Sequence, residues 1–549
     1  MDVFCSLLRR GFRKASLLTV TLAVALSACT VGPDFKPPQP QVPADWHAMQ
    51  TQGGKDNQTS NPSVESDPDP AWWHSFGDPT LDALIDQALR GNPDLRIAVV
   101  RIAEAREQTQ QAAAQGLPNV RATASYEREQ LGAKGFLESA GVYQQVDSLG
   151  APDSPVNRIA PGSGAAVERG AQHALDQLTA PINLWQAGFD ASWELDLFGR
   201  VRRSVEAANA QAEAAEESQH DAQVSLEAEV AETYLQLRGA QTLRAIAEAL
   251  IAQQREVVEL AQSASAHGLE SRLDVERAQA QRAQTEALLP QYDQQIAQSL
   301  NALAVLTGNA PGALDAELVP PGAPPAALPA TPPDVPVGLP ATLARRRPDI
   351  RRAEATLHAA TADVGVAVAQ FYPDISLTAQ AGTRATTPHD LAHWASLFWS
   401  WGPSVSLPIF QGGALISNLR LSKLQQTEAA LNYRKTVLVA LRDVNNALVV
   451  YRTDQARLAS LDESADAQRQ AYGLARDSYR KGIVSFIDVL DAERQLSTAQ
   501  QNAQQGRLQV CTDLVSLYKA LGGGWGEART VPAAPGAPAS APAASVGAR

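Results

Sequence analysis

Sulfur is scarce. The 549 residues hold three cysteines and two methionines. Cys5 and Cys29 belong to the N-terminal leader described below, so Cys511 is the only thiol left free and no intrachain disulfide is expected. Cys511 falls near Leu514 and Leu517 in a helical pattern and reads as a small core residue, not a nucleophile. Met1 and Met49 supply no thioether relay for soft metals. Aromatics are 5% of the chain while Ala, Gln, Leu and Glu recur, which suits long, closely packed helices better than a mixed α/β core. Positive charge is also short, with 46 Lys and Arg against 59 Asp and Glu. That acidic balance argues against nucleic acid as a partner. A nucleotide-binding Gly-rich loop and a nucleophile elbow are both absent. The nearest approach to a metal motif is His389-Asp-Leu-Ala-His393. It falls in a loop and lacks a third ligand, so it reads as two loop histidines. Neither enzyme activity nor a metal or other cofactor is expected.

The first residues read as a targeting segment. Arg9, Arg10, Arg13 and Lys14 precede an uncharged run from Ser16 to Ala28, too short to span a bilayer but suited to a signal-peptide core. The run ends Leu26-Ser27-Ala28-Cys29, which resembles a bacterial lipobox. In such a motif the cysteine takes a diacylglycerol and becomes the mature N-terminus. Thr30 in the next position, where an aspartate would favour inner-membrane retention, points by the same resemblance to the outer membrane. Cleavage removes a segment of net charge +3 and leaves the mature chain at −16.

The sequence repeats itself. Asn92-Pro-Asp-Leu-Arg96 matches Arg347-Pro-Asp-Ile-Arg351 at an offset of 255, and Leu117-Pro-Asn-Val120 matches Tyr372-Pro-Asp-Ile375. Further on, Gly268-Leu-Glu-Ser-Arg-Leu-Asp-Val275 matches Gly482-Ile-Val-Ser-Phe-Ile-Asp-Val489 at an offset of 214. The fall in offset means that the first repeat carries an insertion, assigned to a long loop from Leu131 to Pro181.

Each repeat predicts helix, strand, loop, strand, very long helix, turn, helix. The strands alternate with period 2. Val120, Ala122, Ala124 and Tyr126 share one face, as do Ala187, Phe189, Ala191, Trp193, Leu195 and Leu197. In the second repeat Ile375, Leu377, Ala379 and Ala381 do so, followed by Trp399, Trp401, Val405, Leu407 and Ile409. Strands of about ten residues with a tryptophan-rich apolar face and a polar face fit an outer-membrane barrel. The alternative, a soluble sandwich, would need more strands. From Arg200 to about Ala266 runs a proline-free helix of roughly 100 Å at about 1.5 Å per residue. Val201, Val205, Ala208, Ala212, Ala215, Ala222 and Leu226 follow coiled-coil spacing along it, with Gln219 in the seam, as do Val437, Leu441, Val444, Leu448 and Tyr451 in the second repeat. Four strands cannot close a barrel and open edges are not tolerated in lipid, so the chain must oligomerise. Helices this long must project out of the membrane into the periplasm. The expected organisation is a signal peptide (1–28), a lipidated arm (29–80), repeat 1 (81–318), a Pro/Ala-rich linker (319–340), repeat 2 (341–525) and a disordered tail (526–549).

Taken together these features resemble the outer membrane factor family, the TolC-like trimeric ducts, and especially its lipoprotein branch. The residues carrying the resemblance are Cys29 to Phe35, Trp72-Trp73 with Gly77 to Leu81, Asn92 to Leu95, Phe198-Gly-Arg200, Arg347-Pro-Asp349 and Gly482 to Asp491. The resemblance implies an α+β membrane protein whose homotrimer forms a 12-stranded barrel above a helical coiled-coil tunnel. It implies a passive efflux channel for drugs or other small molecules, working with a periplasmic adaptor and an inner-membrane pump of the proton-driven resistance-nodulation-division class. Alternatives are a duct for ABC-driven protein secretion or for metal-ion efflux.

Gly268 and Gly482 fall at equivalent helix reversals, the expected periplasmic tips. Ser271 with Asp274, and Ser485 with Asp488, read as capping boxes. Asp491 lies one turn past Asp488 on the same face, beyond the reach of a cap. By resemblance Asp488 and Asp491 line the closed entrance and Asp274 joins the lock of the tip. In a trimer, crowding of these acids is expected to raise some of their pKa values. Val484 stands where the family has an arginine, which leaves Tyr479 and Arg480 to take its place.

Overall fold

The computed structural model describes residues 30–39, 42–47, 63–64, 69–130, 132–268, 271–320, 327–332 and 335–526. The expected signal peptide, Cys29 with its expected lipidation, parts of the expected arm and linker, and the residues from 527 lie outside them. Among the described residues no helix is long and apolar enough to cross a membrane. The chain divides into two compact units. One includes Gln111–Ser204 and Gly365–Leu419; the other takes in Pro33–Gln110, Val205–Val364 and the described part of Arg420–Arg549.

One order of elements occurs twice. In the first pass it is α1 (Pro79–Gly91), α2 (Pro93–Ala114), β1 (Asn119–Glu129), β2 (Ile182–Glu194), α3 (Arg200–Ala266), α4 (Arg272–Glu286) and α5 (Leu289–Leu306). In the second it is α6 (Pro348–Ala369), β3 (Asp374–Ala385), β4 (Leu397–Ser406), α7 (Ala414–Arg480) and α8 (Phe486–Ala520). Helices α2 and α6 each have 22 residues, and α3 and α7 each have 67. Pro348 follows Pro93, and Ala414 follows Arg200, at the two offsets seen in the sequence. The return helix of the first pass breaks at Ala287–Leu288 ahead of Pro290, which has no N–H for a helical bond; α8 has no such residue and runs unbroken.

The unit that contains the strands is a four-stranded antiparallel sheet in the order β1-β2-β3-β4. Its register puts Val120, Ala191, Ala379 and Trp401 in one row, with Ala122, Phe189, Ala381 and Trp399 in the next. The apolar residues predicted from alternation thus form one continuous face as far as the strands run; β2 ends at Glu194 and β4 at Ser406, so Leu195, Leu197, Leu407 and Ile409 lie beyond the sheet. That face is open: Phe189 is 62% exposed and Trp401 71%. On the other face Thr123 Oγ1 donates to Asp190 at 2.8 Å and the Arg384 guanidinium to Gln186 at 2.8 Å. The β1–β2 connection runs from 130 to 181 and the β3–β4 connection only from 386 to 396, so the insertion of the first repeat sits wholly between its strands.

The segment from Leu131 to Pro181, read from the sequence as a long loop, is largely helical among its described residues. It carries helices at Ala133–Ser139, Val142–Asp147, Pro155–Ile159 and Gly164–Thr179. Its prolines and glycines separate helices rather than abolish them. Pro155 opens one helix behind Ser154, whose hydroxyl accepts from the Asn157 amide at 3.2 Å. At the far end of β2 the chain passes Gly199, where any side chain would collide with Thr30, and the Val31 amide donates to the Phe198 carbonyl at 3.2 Å.

The other unit is helical. Its core joins Trp72, Trp73, Leu81, Leu84 and Ile85 to Tyr234, Leu235, Leu514, Leu517 and Tyr518. The duplicated Pro-Asp motifs have equivalent tasks here. Asn92 accepts from the Leu95 amide at 3.0 Å and donates to the Leu306 carbonyl at the end of α5. Arg347 holds Asp349 and donates to the Ala520 carbonyl at the end of α8, also at 3.0 Å. Leu306 and Ala520 are themselves an equivalent pair at the second of the two offsets. Each motif therefore ties the start of one helix to the end of another, giving two otherwise unmet carbonyls a donor.

The predicted stripe on α7 is buried as expected at Val437, Leu441, Val444, Leu448 and Tyr451. On α3 the single seam is replaced by burial around most of the helix, including Ala207, Ala210, Ala214, Glu217, Gln223 and Glu227. A helix packed on several sides cannot show one apolar stripe, and its buried polar groups are what the 4-3 pattern omitted.

Candidate functional site

The site lies where the two long helices reverse, in the helical unit. Helix α3 ends at Ala266 and α7 at Arg480, and Gly268 and Gly482 follow with φ of 73° and 71°. At Gly482 the reversal is tight. Its N–H donates to the Tyr479 carbonyl at 2.8 Å and the Ile483 N–H to the Ser478 carbonyl at 2.9 Å. A left-handed residue that closes the last turn in this way is the common reason for glycine after a helix.

The two reversals are capped unequally. Asp488 accepts from the Ser485 amide at 2.9 Å and from its hydroxyl at 2.7 Å, a reciprocal capping box at the start of α8. These two donors hold the Asp488 carboxyl below its ordinary range. At the start of α4 only the Ser271 hydroxyl reaches Asp274, at 2.8 Å, and the expected box is incomplete.

The acids also have partners the sequence reading missed. Arg277, one turn after Asp274, lies 3.5 Å from it. Asp491 accepts from Arg494 at 2.7 Å and from Gln495 at 2.6 Å. All three pairs sit at i,i+3 or i,i+4 helical spacing, a signal that was available in the sequence. Arg480 is exposed, and among the described residues no hydrogen bond or ion pair joins it to Asp274, Asp488 or Asp491. Tyr479 packs its ring on Phe486 at 5.5 Å.

Phe486 is the other missed residue. It is 2% exposed and sits among Val257, Val258 and Ala261 of α3 and Ala278 of α4. Beside it Tyr472 of α7 packs with Val489 and Leu496 of α8. One aromatic at the first position of α8 thus clasps the two helix pairs together immediately behind the acids. Chemically the tip offers carboxylates and their local donors, a set suited to attracting cations. His389 and His393 lie elsewhere, in a short turn with their rings 5.3 Å apart, and no group of metal-ligating side chains occurs among the described residues.

Comparison with known proteins agrees over nearly the full length. Residues 84–309 and 339–523 match the model of the outer membrane efflux protein family. The chain is 33% identical over 522 residues to the solvent efflux pump outer membrane protein SrpC of Pseudomonas putida, covering 93% of this chain and 99% of that one. It is 29% identical over 507 residues to nodulation protein T of Rhizobium leguminosarum bv. trifolii, covering 92% and 97%. Among solved structures it resembles the outer-membrane channel OprN, with 35% identity, 90% and 100% coverage and a TM-score of 0.75. It also resembles the open-state MtrE outer membrane channel of Neisseria gonorrhoeae, with 29% identity, 90% and 98% coverage and a TM-score of 0.72.

Proposed function

This chain belongs to the outer membrane efflux protein family, and we propose that it is the outer-membrane channel of a tripartite efflux system. It passes small molecules from a periplasmic adaptor and an inner-membrane pump to the exterior without catalysing a reaction. One observation carries this reading: a four-stranded sheet with an uncovered apolar face, one polar face and two unpaired edge strands, attached to 67-residue helices. A sheet of that kind is stable in lipid only when further copies close it into a barrel. Three copies would supply 12 strands, and the long helices would then form the periplasmic tunnel, with Gly268 and Gly482 at its tips and the acids at its entrance. Two relatives are described as toluene and antibiotic efflux pump outer membrane proteins, which supports organic compounds as cargo. Deleting the gene is expected to sensitise the cell to organic solvents or antibiotics, measured as minimal inhibitory concentrations and restored by the gene in trans. Unaltered tolerance to every compound, with secretion of a protein lost instead, would contradict the reading.

We also propose acylation at Cys29. The adjacent Thr30 lies against Gly199 at the end of β2, so a lipid on Cys29 would start beside the sheet. Cys29→Ser is expected to abolish palmitate labelling, because no other cysteine lies at a lipobox. Equal labelling of wild type and variant would sink the claim. Insertion is expected to survive, since the strands carry their own apolar band.

A further inference from the structure

Glu493 of α8 follows Asp491 by two positions and is 1% exposed. Neither of its carboxyl oxygens has a partner in hydrogen-bond geometry. Gln254 of α3, 2% exposed, faces it closely enough to soften the cost of a charge, yet both polar atoms of that amide are equally unsatisfied. Tyr472 of α7 lies close enough to feel the carboxylate, and its own hydroxyl also responds to Glu256 of α3 and to Arg476 and Arg480 of α7. Two arginines of α4 and α8 are engaged elsewhere, Arg277 with Asp274 and Arg494 with Asp491. An ionised carboxylate in this position has given up water for one uncharged donor, the Gln254 amide, and that donor does not offset the burial. The neutral acid is different. It can donate its proton to the amide oxygen of Gln254, which stands unpaired across the seam.

We propose that Glu493 is a proton-operated positioning residue for the tip. Protonated, it lets α8 seat against α3 and α7 and keeps Phe486 and Val489 in their clusters. Ionised, it loosens that seat and the acids that α8 carries. Burial pushes the Glu493 carboxyl up to about 7, which puts the change within the range a bacterial periplasm meets. The sign follows from linkage. Between the ordinary carboxyl value and about 7 the seated form holds a proton that the loosened form releases, so rising pH favours loosening. The seat is at full strength in acid and is lost as pH climbs through that window.

The inference takes 480–491 as the channel entrance, and the test separates the two ideas. Amide hydrogen exchange of residues 486–496 is followed in the purified full-length protein from pH 5 to pH 8, corrected for the intrinsic exchange rate. Protection is expected to fall roughly tenfold or more across that range, as a shift of this size implies. Glu493→Gln should stay protected throughout, and Asp488→Asn with Asp491→Asn should keep the native slope. A flat native profile, or a Glu493→Gln profile with the native slope, would overturn the proposal. Conductance in planar bilayers, recorded on the same proteins, reads the consequence. Exchange that responds to pH while conductance does not keeps Glu493 as a proton-operated seat and removes the entrance from the gate.

Discussion

Replacing Asp488 and Asp491 together by alanine is expected to lower the cation-over-anion permeability ratio roughly tenfold and to raise conductance or leak. Six carboxylates around one narrow entrance would concentrate cations there, and water-poor walls would strengthen their field. The two aspartates do not contribute equally. Asp491 is neutralised in part by Arg494, 2.7 Å away on the next turn. Asp488 is exposed and has two uncharged donors from Ser485, and among the described residues no ion pair offsets its charge. Asp488→Ala alone should therefore cost more selectivity than Asp491→Ala alone. The pH dependence has a definite sign. The Asp488 carboxyl is held below its ordinary range, so its charge and the cap it makes persist on acidification through that range and fail only as pH falls beyond it. Crowding in a trimer acts the other way, and Ser485 opposes it. Selectivity measured in planar bilayers from pH 7 down to pH 4 should decline late. An unchanged permeability ratio in a correctly inserted trimer would take both residues out of the gate.

Much of this architecture was readable because each element has one strong periodicity. Alternation gave the apolar face of all four strands, because successive side chains of a pleated strand fall on opposite faces of the sheet. The absence of proline and the 4-3 spacing gave the span Arg200–Ala266, and the two repeat offsets fixed the equivalence of α2 with α6 and α3 with α7. What was missed lies where the signal is not periodic. The short helices between Leu131 and Pro181 hide behind the glycines and prolines that separate them. The polar residues inside α3, Glu217, Gln223 and Glu227 among them, are buried by neighbours on several sides that no local pattern announces. At the tip, the capping signature of Ser485 and Asp488 was legible, but the same pattern at Ser271 and Asp274 yielded one bond of the two. Phe486 and Glu493 depend on contacts with Val257, Val258 and Gln254 of α3, in the other repeat, and only the fold brings them together.

Chains carrying one cysteine on β1, one on β4 and alanine at Cys511 are expected to oxidise into covalent trimers and stop there. Strands β1 and β4 are the two edges of the sheet, separated by β2 and β3. Three strand spacings of about 4.8 Å place them roughly 14 Å apart. A disulfide needs Cα atoms within about 7 Å, so the pair cannot close inside one chain. It can close only if the β1 edge of one copy meets the β4 edge of the next. Two further observations demand that meeting. Unpaired N–H and C=O groups along both edges would each cost several kcal/mol in hydrocarbon. On α7, Leu424, Leu431 and Leu438 recur at heptad spacing and stay 67%, 62% and 55% exposed, a coiled-coil stripe left uncovered by the chain itself. Single-cysteine controls should give dimers at most, because one bridge per copy cannot close a ring. The double variant should give a ladder of one, two and three chains whose top band survives boiling without reductant. A ladder that continues past three would replace the closed ring by an open filament. A stable monomer with full strand content by circular dichroism would contradict closure altogether, because the edges would then have found their partners without a second copy.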